Sequence, residues 1–230
     1  MAVGEALLEG AAETGCSTLR FYTWLEPTLS LGYFQGYSER AAHRASQQCA
    51  LVRRQTGGGA ILHDLELTYS LALPVATSSA KDAAWLYEQV HTALIRALSF
   101  FGVAARFCNS SSTVLGEEPF LCFQRRARND LLLDDFKVCG SAQRRRRGAI
   151  LQHGSILLAR SEKAPELPGI RELSGKNLPT ADVIQVAARE IGAGLGLDLV
   201  TGKLTAGETN AAQRLCDDKY SCNRWNQRRI

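Results

Sequence analysis

The spacing of apolar residues predicts several amphipathic helices. The clearest stripe covers residues 81–101, where apolar side chains recur with a helical period and Gly102 follows as a stop signal. Residues 1–10 carry a shorter stripe, with Glu5 and Glu9 on helical spacing. Further helices are predicted over residues 38–48, over residues 181–194, with Thr180 as the cap, and over residues 209–220.

Segments rich in aromatic and β-branched residues predict strands between these helices. Residues 18–24 and 28–34 are separated by a short break around Pro27, which predicts a hairpin, and residues 67–74 alternate in polarity. A Ser-rich loop is expected over residues 108–118. Other strands are predicted over residues 50–53, 60–64, 130–133, 136–139 and 148–158. Because strands and helices do not alternate regularly, we expect an α+β fold with a mixed, largely antiparallel sheet flanked by helices.

Length and composition favour one globular domain over residues 1–230. The chain is 45% hydrophobic and 22% charged, which is ordinary for a protein that folds. No stretch approaches the roughly 20 apolar residues of a membrane-spanning helix, and residues 1–10 lack the basic leader of a signal peptide. We therefore expect a soluble, cytoplasmic protein without a membrane partner.

Seven widely spaced cysteines form no CxxC pair, so neither a zinc site nor a disulfide framework is indicated. We expect at least five of them to be small buried hydrophobic residues in a reducing compartment. The net charge of +4 comes largely from two arginine clusters, Arg125, Arg126 and Arg128, and then residues 144–147. An acidic protein partner and a nucleic-acid surface are both open interpretations of these clusters.

Two segments combine small and chemically active residues beside predicted strands. Residues 53–64 read RRQTGGGAILHD, and glycines in such a loop let backbone N–H groups approach a carbonyl or phosphate oxygen. Taken alone, the three glycines are more typical of a flexible hairpin turn, and no Gly-Lys-Ser/Thr follows as in a Walker loop. Residues 137–158 read KVCGSAQRRRRGAILQHGSILL, in which each polar residue also has a structural explanation, such as a solvated strand edge or hairpin tip.

Together these segments resemble the biotin/lipoate A/B protein ligase family. The resemblance runs nearly from end to end, because it includes LTYS at 67–70, the opening MAVGEALL, the FYTWLEPTLSLGYFQ segment and the closing Lys219, Tyr220, Trp225 and Asn226. It implies a fold like that of class II aminoacyl-tRNA synthetases and biotin synthetases, and attachment of lipoyl or octanoyl groups to a lysine.

Within this family the chain is most similar to the cysteine-dependent octanoyltransferases. In that branch a Cys-Phe pair precedes the lysine motif, and here Cys122 lies 137 − 122 = 15 positions before Lys137. The resemblance implies that Cys122 and Lys137 are catalytic. It implies substrate binding by Arg54, Thr56, Gly57, Gly58, Gly59, His63, Gly140, Ser141, His153 and Gly154.

Three positions depart from the usual pattern of the branch. Gly59 stands where an arginine is usual and is the choice typical of ligases. No Pro-Ser pair follows Phe123, and Gly4 replaces an acidic residue of the first helix. These departures keep two alternatives open: an ATP-dependent lipoate-protein ligase, and a non-catalytic homologue that only binds carrier proteins.

The resemblance implies transfer of an octanoyl group from acyl carrier protein, through a Cys122 thioester, to a lipoyl carrier domain such as glycine cleavage H protein. Neither a metal nor a cofactor is expected, and ATP enters only under the ligase alternative. Cations near the thiol, for which Arg125, Arg126 and Lys137 are candidates, would favour the reactive thiolate. Backbone N–H groups near Gly58 and Gly140 are the expected oxyanion donors, and His63 or His153 is either a general base or a brace. The arginines at 144–147 would attract acidic carrier proteins, so no nucleic acid is required.

Overall fold

The computed structural model describes residues 1–75, 83–109 and 119–228. Residues 110–118 of the loop expected over 108–118, and residues 81 and 82 at the start of the predicted helix, lie outside the described residues. The described strands are β1 (Thr18–Tyr22), β2 (Thr28–Leu31), β3 (Ala50–Arg53), β4 (Ile61–His63), β5 (Glu66–Pro74), β6 (Arg106–Phe107), β7 (Leu131–Leu133), β8 (Phe136–Arg146) and β9 (Ala149–Leu157). The described helices are α1 (Ala2–Thr14), α2 (Ala83–Phe100), α3 (Ile170–Ser174), α4 (Thr180–Leu195), α5 (Ala206–Leu215) and α6 (Asn223–Asn226).

The larger sheet has six strands in the order β1-β5-β9-β8-β7-β6, and every neighbouring pair is antiparallel. Its centre is the long β8–β9 hairpin, which turns through Arg147 and Gly148 at φ 49° and 84°. Positive φ at both residues is typical of a two-residue turn that matches the twist of the strands. The hairpin places residues 139–146 opposite residues 149–156, so the two halves of the second motif lie side by side.

The smaller sheet has the order β3-β2-β4, with β2 parallel to β3 and antiparallel to β4. The predicted hairpin of residues 18–24 and 28–34 is therefore wrong, because β1 pairs with β5 in the large sheet while β2 belongs to the small one. Pro27 lies in the segment that connects β1 of the large sheet to β2 of the small sheet. Both strands have the β-forming composition that was used to predict them, but local composition does not specify the pairing partner.

The largest apolar cluster lies between the large sheet and the helices α2 and α4. Fully buried aliphatic side chains such as Leu71, Leu94 and Ile150 contribute about 1.5–3 kcal/mol each relative to exposure. Helix α1 covers part of the sheet through Leu7 and Leu8, which pack against β5 and β9. The mixed α+β architecture agrees with the prediction from sequence.

Several local predictions need correction. Residues 38–48 form two short 3-10 turns, Tyr37–Ala42 and Arg44–Ser46, and not an α-helix. Helix α4 begins at Thr180 itself, with Pro179 at the cap position. The strand predicted over residues 136–139 extends to Arg146. All seven cysteines are free thiols, but only Cys108 and Cys139 are buried, so the expectation of at least five buried cysteines is wrong.

Candidate functional site

Arg54 organises the glycine loop that joins β3 to β4. Its side chain is buried, and its guanidinium donates to the carbonyl oxygens of Ser30 at 2.8 Å, Gly57 at 3.0 Å and Gly59 at 2.5 Å. Burial lowers the pKa of Arg54 to about 10, which still leaves it charged at neutral pH. Because peptide planes are trans here, the Gly57 carbonyl that faces Arg54 turns the N–H of Gly58 away from the guanidinium.

Two glycines of this loop occupy places where a side chain would collide. Gly58 has φ 93°, and a Cβ built on it would lie 3.2 Å from Arg54 Nη2 and 3.9 Å from Cys122 Sγ. A Cβ on Gly59 would lie 3.0 Å from the carbonyl oxygen of Phe120 and 3.1 Å from the Arg125 guanidinium. The loop is thus closely fitted against the segment that carries the cysteine, and it is not a flexible turn.

Cys122 is held against this loop by backbone hydrogen bonds. Its N–H donates to the carbonyl of Ala60 at 2.7 Å, and the N–H of Ala60 donates to the carbonyl of Phe120 at 2.9 Å. Cys122 begins the 3-10 turn Cys122–Gln124 and is partly exposed. The glycine loop and the segment that carries Cys122, which are far apart in sequence, therefore lie against each other.

A buried ion pair lies beside the thiol. Lys137 Nζ is 2.8 Å from Asp130 Oδ2 and 3.8 Å from Cys122 Sγ. Burial opposes the charged form of Lys137, but Cys122 and Asp130 outweigh it and raise the pKa of this lysine. Lys137 is therefore a fixed cation between a carboxylate and the thiol. Gly140 leaves room for it, because a Cβ there would lie 2.4 Å from Lys137 Cε.

A cavity with about 520 Å³ of empty space, open to solvent, surrounds these groups. Most of the residues that the sequence predicted for the site line it: Arg54, Gly57, Gly58, His63, Cys122, Lys137, Gly140, Ser141, His153 and Gly154. Other lining residues, among them Ile61, Phe123 and Ala142, give part of the wall an apolar character.

Thr56 and Gly59 are the two predicted site residues that do not line the cavity, and both are buried. The Thr56 hydroxyl is 2.7 Å from His153 Nε2. Burial, with further contributions from Arg54 and His63, lowers the pKa of His153 to about 3, so this imidazole is neutral. His153 is thus braced by Thr56 and is a poor proton acceptor.

His63 presents a different environment. Its ring stacks on Trp24 with centroids 4.2 Å apart, and its Nδ1 is 3.0 Å from the buried carboxylate of Glu66. A carboxylate accepts, so Nδ1 carries the proton and Nε2 is left with a lone pair in the neutral ring. In the described part of the chain nothing bonds Nε2, which is buried.

Ser141 borders the cavity, but its hydroxyl is engaged behind the sheet. Ser141 Oγ is 2.5 Å from the Tyr69 hydroxyl and 2.6 Å from His91 Nε2. Gly154, opposite it on β9, is needed for this arrangement, because a Cβ there would lie 2.3 Å from Ser141 Oγ. Ser141 therefore ties the cavity wall to α2.

The arginine clusters are only partly available to a partner. Arg146 forms ion pairs with Glu5 at 2.8 Å and Glu9 at 3.1 Å. Arg125 donates to the carbonyl of Pro119 at 2.6 Å beside Gly59, and does not stand free at the cavity mouth. Arg144 lies over the Tyr33 ring at 5.7 Å and is exposed, as is Arg147 at the hairpin turn.

Asp130 and its neighbours Tyr87 and His91 were not predicted. Asp130 lies seven positions before Lys137 on the facing side of the β7–β8 hairpin, which is the one signal in the sequence that could have paired them. Tyr87 and His91 lie on α2, and no local pattern links them to residues about 40 positions later.

Across residues 1–75, 83–109 and 119–228, no cluster of three or more His, Cys, Asp or Glu could hold a metal ion. Over the same residues, every helix is too short or too polar to cross a membrane.

The chain is similar in sequence to a family of known proteins. Residues 1–164 match the family model of the lipoyl protein ligase A/B catalytic domain. The chain is 32% identical over 262 residues to octanoyltransferase LipM of Anoxybacillus flavithermus, with 100% of this chain and 93% of the relative covered. It is 34% identical over 259 residues to octanoyltransferase LipM of Symbiobacterium thermophilum, with the same two coverages.

Solved structures share the fold. The chain superposes on a bi-partite lipoate protein ligase from Thermoplasma acidophilum with a TM-score of 0.77 at 24% identity, covering 98% of this chain and 89% of the other. A lipoate-protein ligase A bound with ATP gives a TM-score of 0.79 at 23% identity, covering 98% and 92%. These likenesses confirm the expected fold. The resemblance predicted from the paired motifs is confirmed, and the chain belongs to the lipoyl protein ligase A/B catalytic domain family.

Proposed function

We propose that residues 1–230 form a single catalytic domain that transfers an octanoyl group through a Cys122 acyl-enzyme to a lysine of a lipoyl carrier domain. The observation that carries this proposal is the Cys122 thiol, partly exposed in a cavity that opens to solvent and 3.8 Å from the Lys137 ammonium. The relatives named octanoyltransferase LipM support the same chemistry.

In the first half-reaction the thiolate of Cys122 attacks the carbonyl carbon of an octanoyl thioester on acyl carrier protein. A new C–S bond forms and the carrier's C–S bond breaks. The carrier leaves as a thiolate and takes up, through solvent, the proton that the Cys122 thiol released. Lys137 and the buried Arg54 supply positive charge near the thiolate and the carbonyl oxygen. The Gly58 N–H, turned away from Arg54, is our proposed oxyanion donor.

In the second half-reaction the neutral amine of the acceptor lysine attacks the Cys122 thioester. The C–N bond forms, the C–S bond breaks, and the amine loses one proton. Of the two motif histidines, His63 is better placed to accept it, because its Nε2 is not bonded by any described residue while His153 is engaged by Thr56. Exchange between two thioesters is nearly isoenergetic, and conversion of a thioester to an amide is favourable. The two half-reactions therefore need no ATP or other cofactor.

Both macromolecular substrates would approach the same opening. The exposed Arg144 and Arg147 on the β8–β9 hairpin suit acidic carrier proteins, namely acyl carrier protein as donor and a lipoyl domain or glycine cleavage H protein as acceptor. Arg146 is excluded from this role because Glu5 and Glu9 bind it. We place the reaction in the cytoplasm, where free thiols such as Cys122 stay reduced.

An ATP-dependent lipoate ligase is the second candidate, favoured by Gly59. The Arg125 guanidinium occupies the space that a side chain at position 59 would need. The structure therefore fits a glycine at this position, which is the residue typical of ligases. A ligase would activate a free acid with ATP and would not need Cys122 as a nucleophile.

Intact-protein mass after incubation with octanoyl acyl carrier protein, without ATP, tests the proposal. We expect a hydroxylamine-labile octanoyl adduct on the wild type and on Cys49→Ala, a control that removes another partly exposed thiol, and no adduct on Cys122→Ala. Loss of the adduct in every protein, with lipoylation of a carrier domain once lipoate and ATP are added, would establish the ligase instead.

A further inference from the structure

Two side chains of α2, one half-buried and one fully buried, lie behind the cavity and are not used by the reaction proposed above. Tyr87 and His91 are four residues apart on α2, so they share one face of the helix, and their ring centroids are 4.3 Å apart. His91 is fully buried. Polar groups that are shielded from water need hydrogen-bond partners. The partners of Tyr87 and His91 connect them to the ion pair beside Cys122.

The hydrogen bonds of Tyr87 have a fixed direction. The backbone N–H of Ser141 donates to the Tyr87 hydroxyl at 3.0 Å, and Tyr87 is 3.1 Å from Asp130 Oδ1. Because an amide N–H can only donate, the phenol uses its own proton to bind the carboxylate. Burial, reinforced by Asp130, raises the pKa of Tyr87, so the phenol keeps that proton.

His91 fixes the backbone immediately before Asp130. His91 Nδ1 is 2.7 Å from the carbonyl oxygen of Asn129, which can only accept, so Nδ1 carries the ring proton. Nε2 accepts from Ser141 Oγ at 2.6 Å. Burial lowers the pKa of His91 to about 3, which keeps the ring neutral. Asn129 has φ 71°, a left-handed conformation that the His91 contact holds in place.

Asp130 passes this constraint to the thiol. Its Oδ2 accepts from the N–H of Ala127 at 2.7 Å and lies 2.8 Å from Lys137 Nζ. A lysine side chain is flexible, so the carboxylate decides where the ammonium lies. That ammonium is 3.8 Å from Cys122 Sγ.

We propose that Tyr87 and His91 are positioning residues, which hold Asp130 so that it keeps the Lys137 ammonium against the Cys122 thiol. The inference rests on the proposed function in that Cys122 is the nucleophile. It extends the site across the sheet to α2. Neither residue touches substrate, and both act through Asp130.

The first test is the rate at which iodoacetamide alkylates Cys122, followed by peptide mass between pH 6 and pH 10. Only the thiolate reacts, so the pH profile reports how well the thiolate is stabilised. For Tyr87→Phe, which removes one oxygen, we expect alkylation about tenfold slower near pH 7, with the difference closing towards pH 10. Tyr220→Phe is the matched control, because it removes a buried phenol that donates to the buried Glu5 carboxylate at 2.6 Å. It should leave the profile unchanged.

A second pair of variants tests His91. His91→Asn keeps an N–H where Nδ1–H stands and should retain the wild-type profile, whereas His91→Leu should move it to higher pH as Tyr87→Phe does. An identical profile in wild type and Tyr87→Phe, or an equal change in Tyr220→Phe, would overturn the inference. If Tyr87→Phe does not fold, the His91→Asn and His91→Leu pair decides by the same criterion.

Alkylation needs no carrier protein, so its outcome is separate from that of the proposed function. A wild type that forms no octanoyl adduct, yet shows the Tyr87→Phe shift, would remove the octanoyl transfer and leave the positioning role intact. An octanoyl adduct together with alkylation profiles that do not change in the variants would support the octanoyl transfer and overturn the positioning role.

Discussion

Replacing Lys137 by methionine tests the buried ion pair on which the site depends. The Lys137 and Asp130 side chains are 5% and 2% exposed, and their charged atoms are 2.8 Å apart. Water therefore cannot solvate the carboxylate that remains once the ammonium is removed. Breaking such a pair costs about 3–5 kcal/mol of unfolding free energy. We expect a loss of that size for Lys137→Met, measured by urea denaturation at neutral pH.

The double variant Lys137→Met, Asp130→Asn separates charge from packing. It leaves no buried charge, and the asparagine can still accept a hydrogen bond from Tyr87. We expect it to recover about 2 kcal/mol or more of the stability lost in the single variant.

The pH dependence of this stability has a definite sign. The pKa of Lys137 is raised in the folded protein because Cys122 and Asp130 outweigh the opposing effect of burial. The pair's contribution is therefore fully present below the unfolded value of 10.5 and is lost as the pH rises through the higher folded value. The gap between wild type and Lys137→Met should therefore shrink in that alkaline range. A Lys137→Met variant within about 1 kcal/mol of wild type at pH 7, or a double variant no more stable than the single, would refute the reasoning.

Three further outcomes are expected. Gly59→Ala should slow acylation of Cys122 and lower the melting temperature, because its Cβ would lie 3.0 Å from a backbone carbonyl, whereas Gly202→Ala, with nothing within 4 Å, should do neither. His63→Gln should slow transfer from the acyl-enzyme to the acceptor lysine about 100-fold in single-turnover assays and leave acyl-enzyme formation unchanged. Equal slowing of both steps would exclude this base. Glu5→Gln should destabilise the protein near pH 7 and converge with wild type in acid melts. Burial opposes ionisation of Glu5, but the hydrogen bonds from Lys219 and Tyr220 and the charges of Lys219 and Arg146 together outweigh it and lower the Glu5 pKa. The contribution of Glu5 is therefore fully present above the unfolded value of 4.5 and is lost as the pH falls through the lower folded value.

The sequence could predict those parts of the site that depend on short segments. The glycine loop and the 15-residue spacing from Cys122 to Lys137 are visible in the chain, and the fold brings both to one cavity. The amphipathic stripe of α2 and the alternation in β5 likewise predict their elements, because local periodicity reflects which face is buried.

The parts that could not be predicted depend on pairing across the fold. β1 and β2 have the composition of a hairpin, yet each finds its partners in a different sheet. His91 resembles a core residue of α2 until the sheet brings the Asn129 carbonyl to 2.7 Å from its Nδ1. The burial of the cysteines could not be predicted for the same reason. Cys49, Cys216 and Cys222 are half-buried, and their neighbours in sequence do not indicate this. Long-range contacts of this kind leave no periodic trace in a single sequence.

Arg53, next to the glycine loop, couples the site to the order in which the chain is made. It is fully buried, and its guanidinium donates to the Gly32 carbonyl at 2.8 Å, the Trp225 carbonyl at 3.0 Å and the Asn226 carbonyl at 3.2 Å. Two of these three acceptors are synthesised about 170 residues after the arginine. Until these two residues have left the ribosome, the Arg53 charge lacks two of the carbonyls that compensate its burial. The loop beside Cys122 therefore acquires this support only after residues 225 and 226 have been made and released, so a shorter nascent chain does not yet carry the finished site.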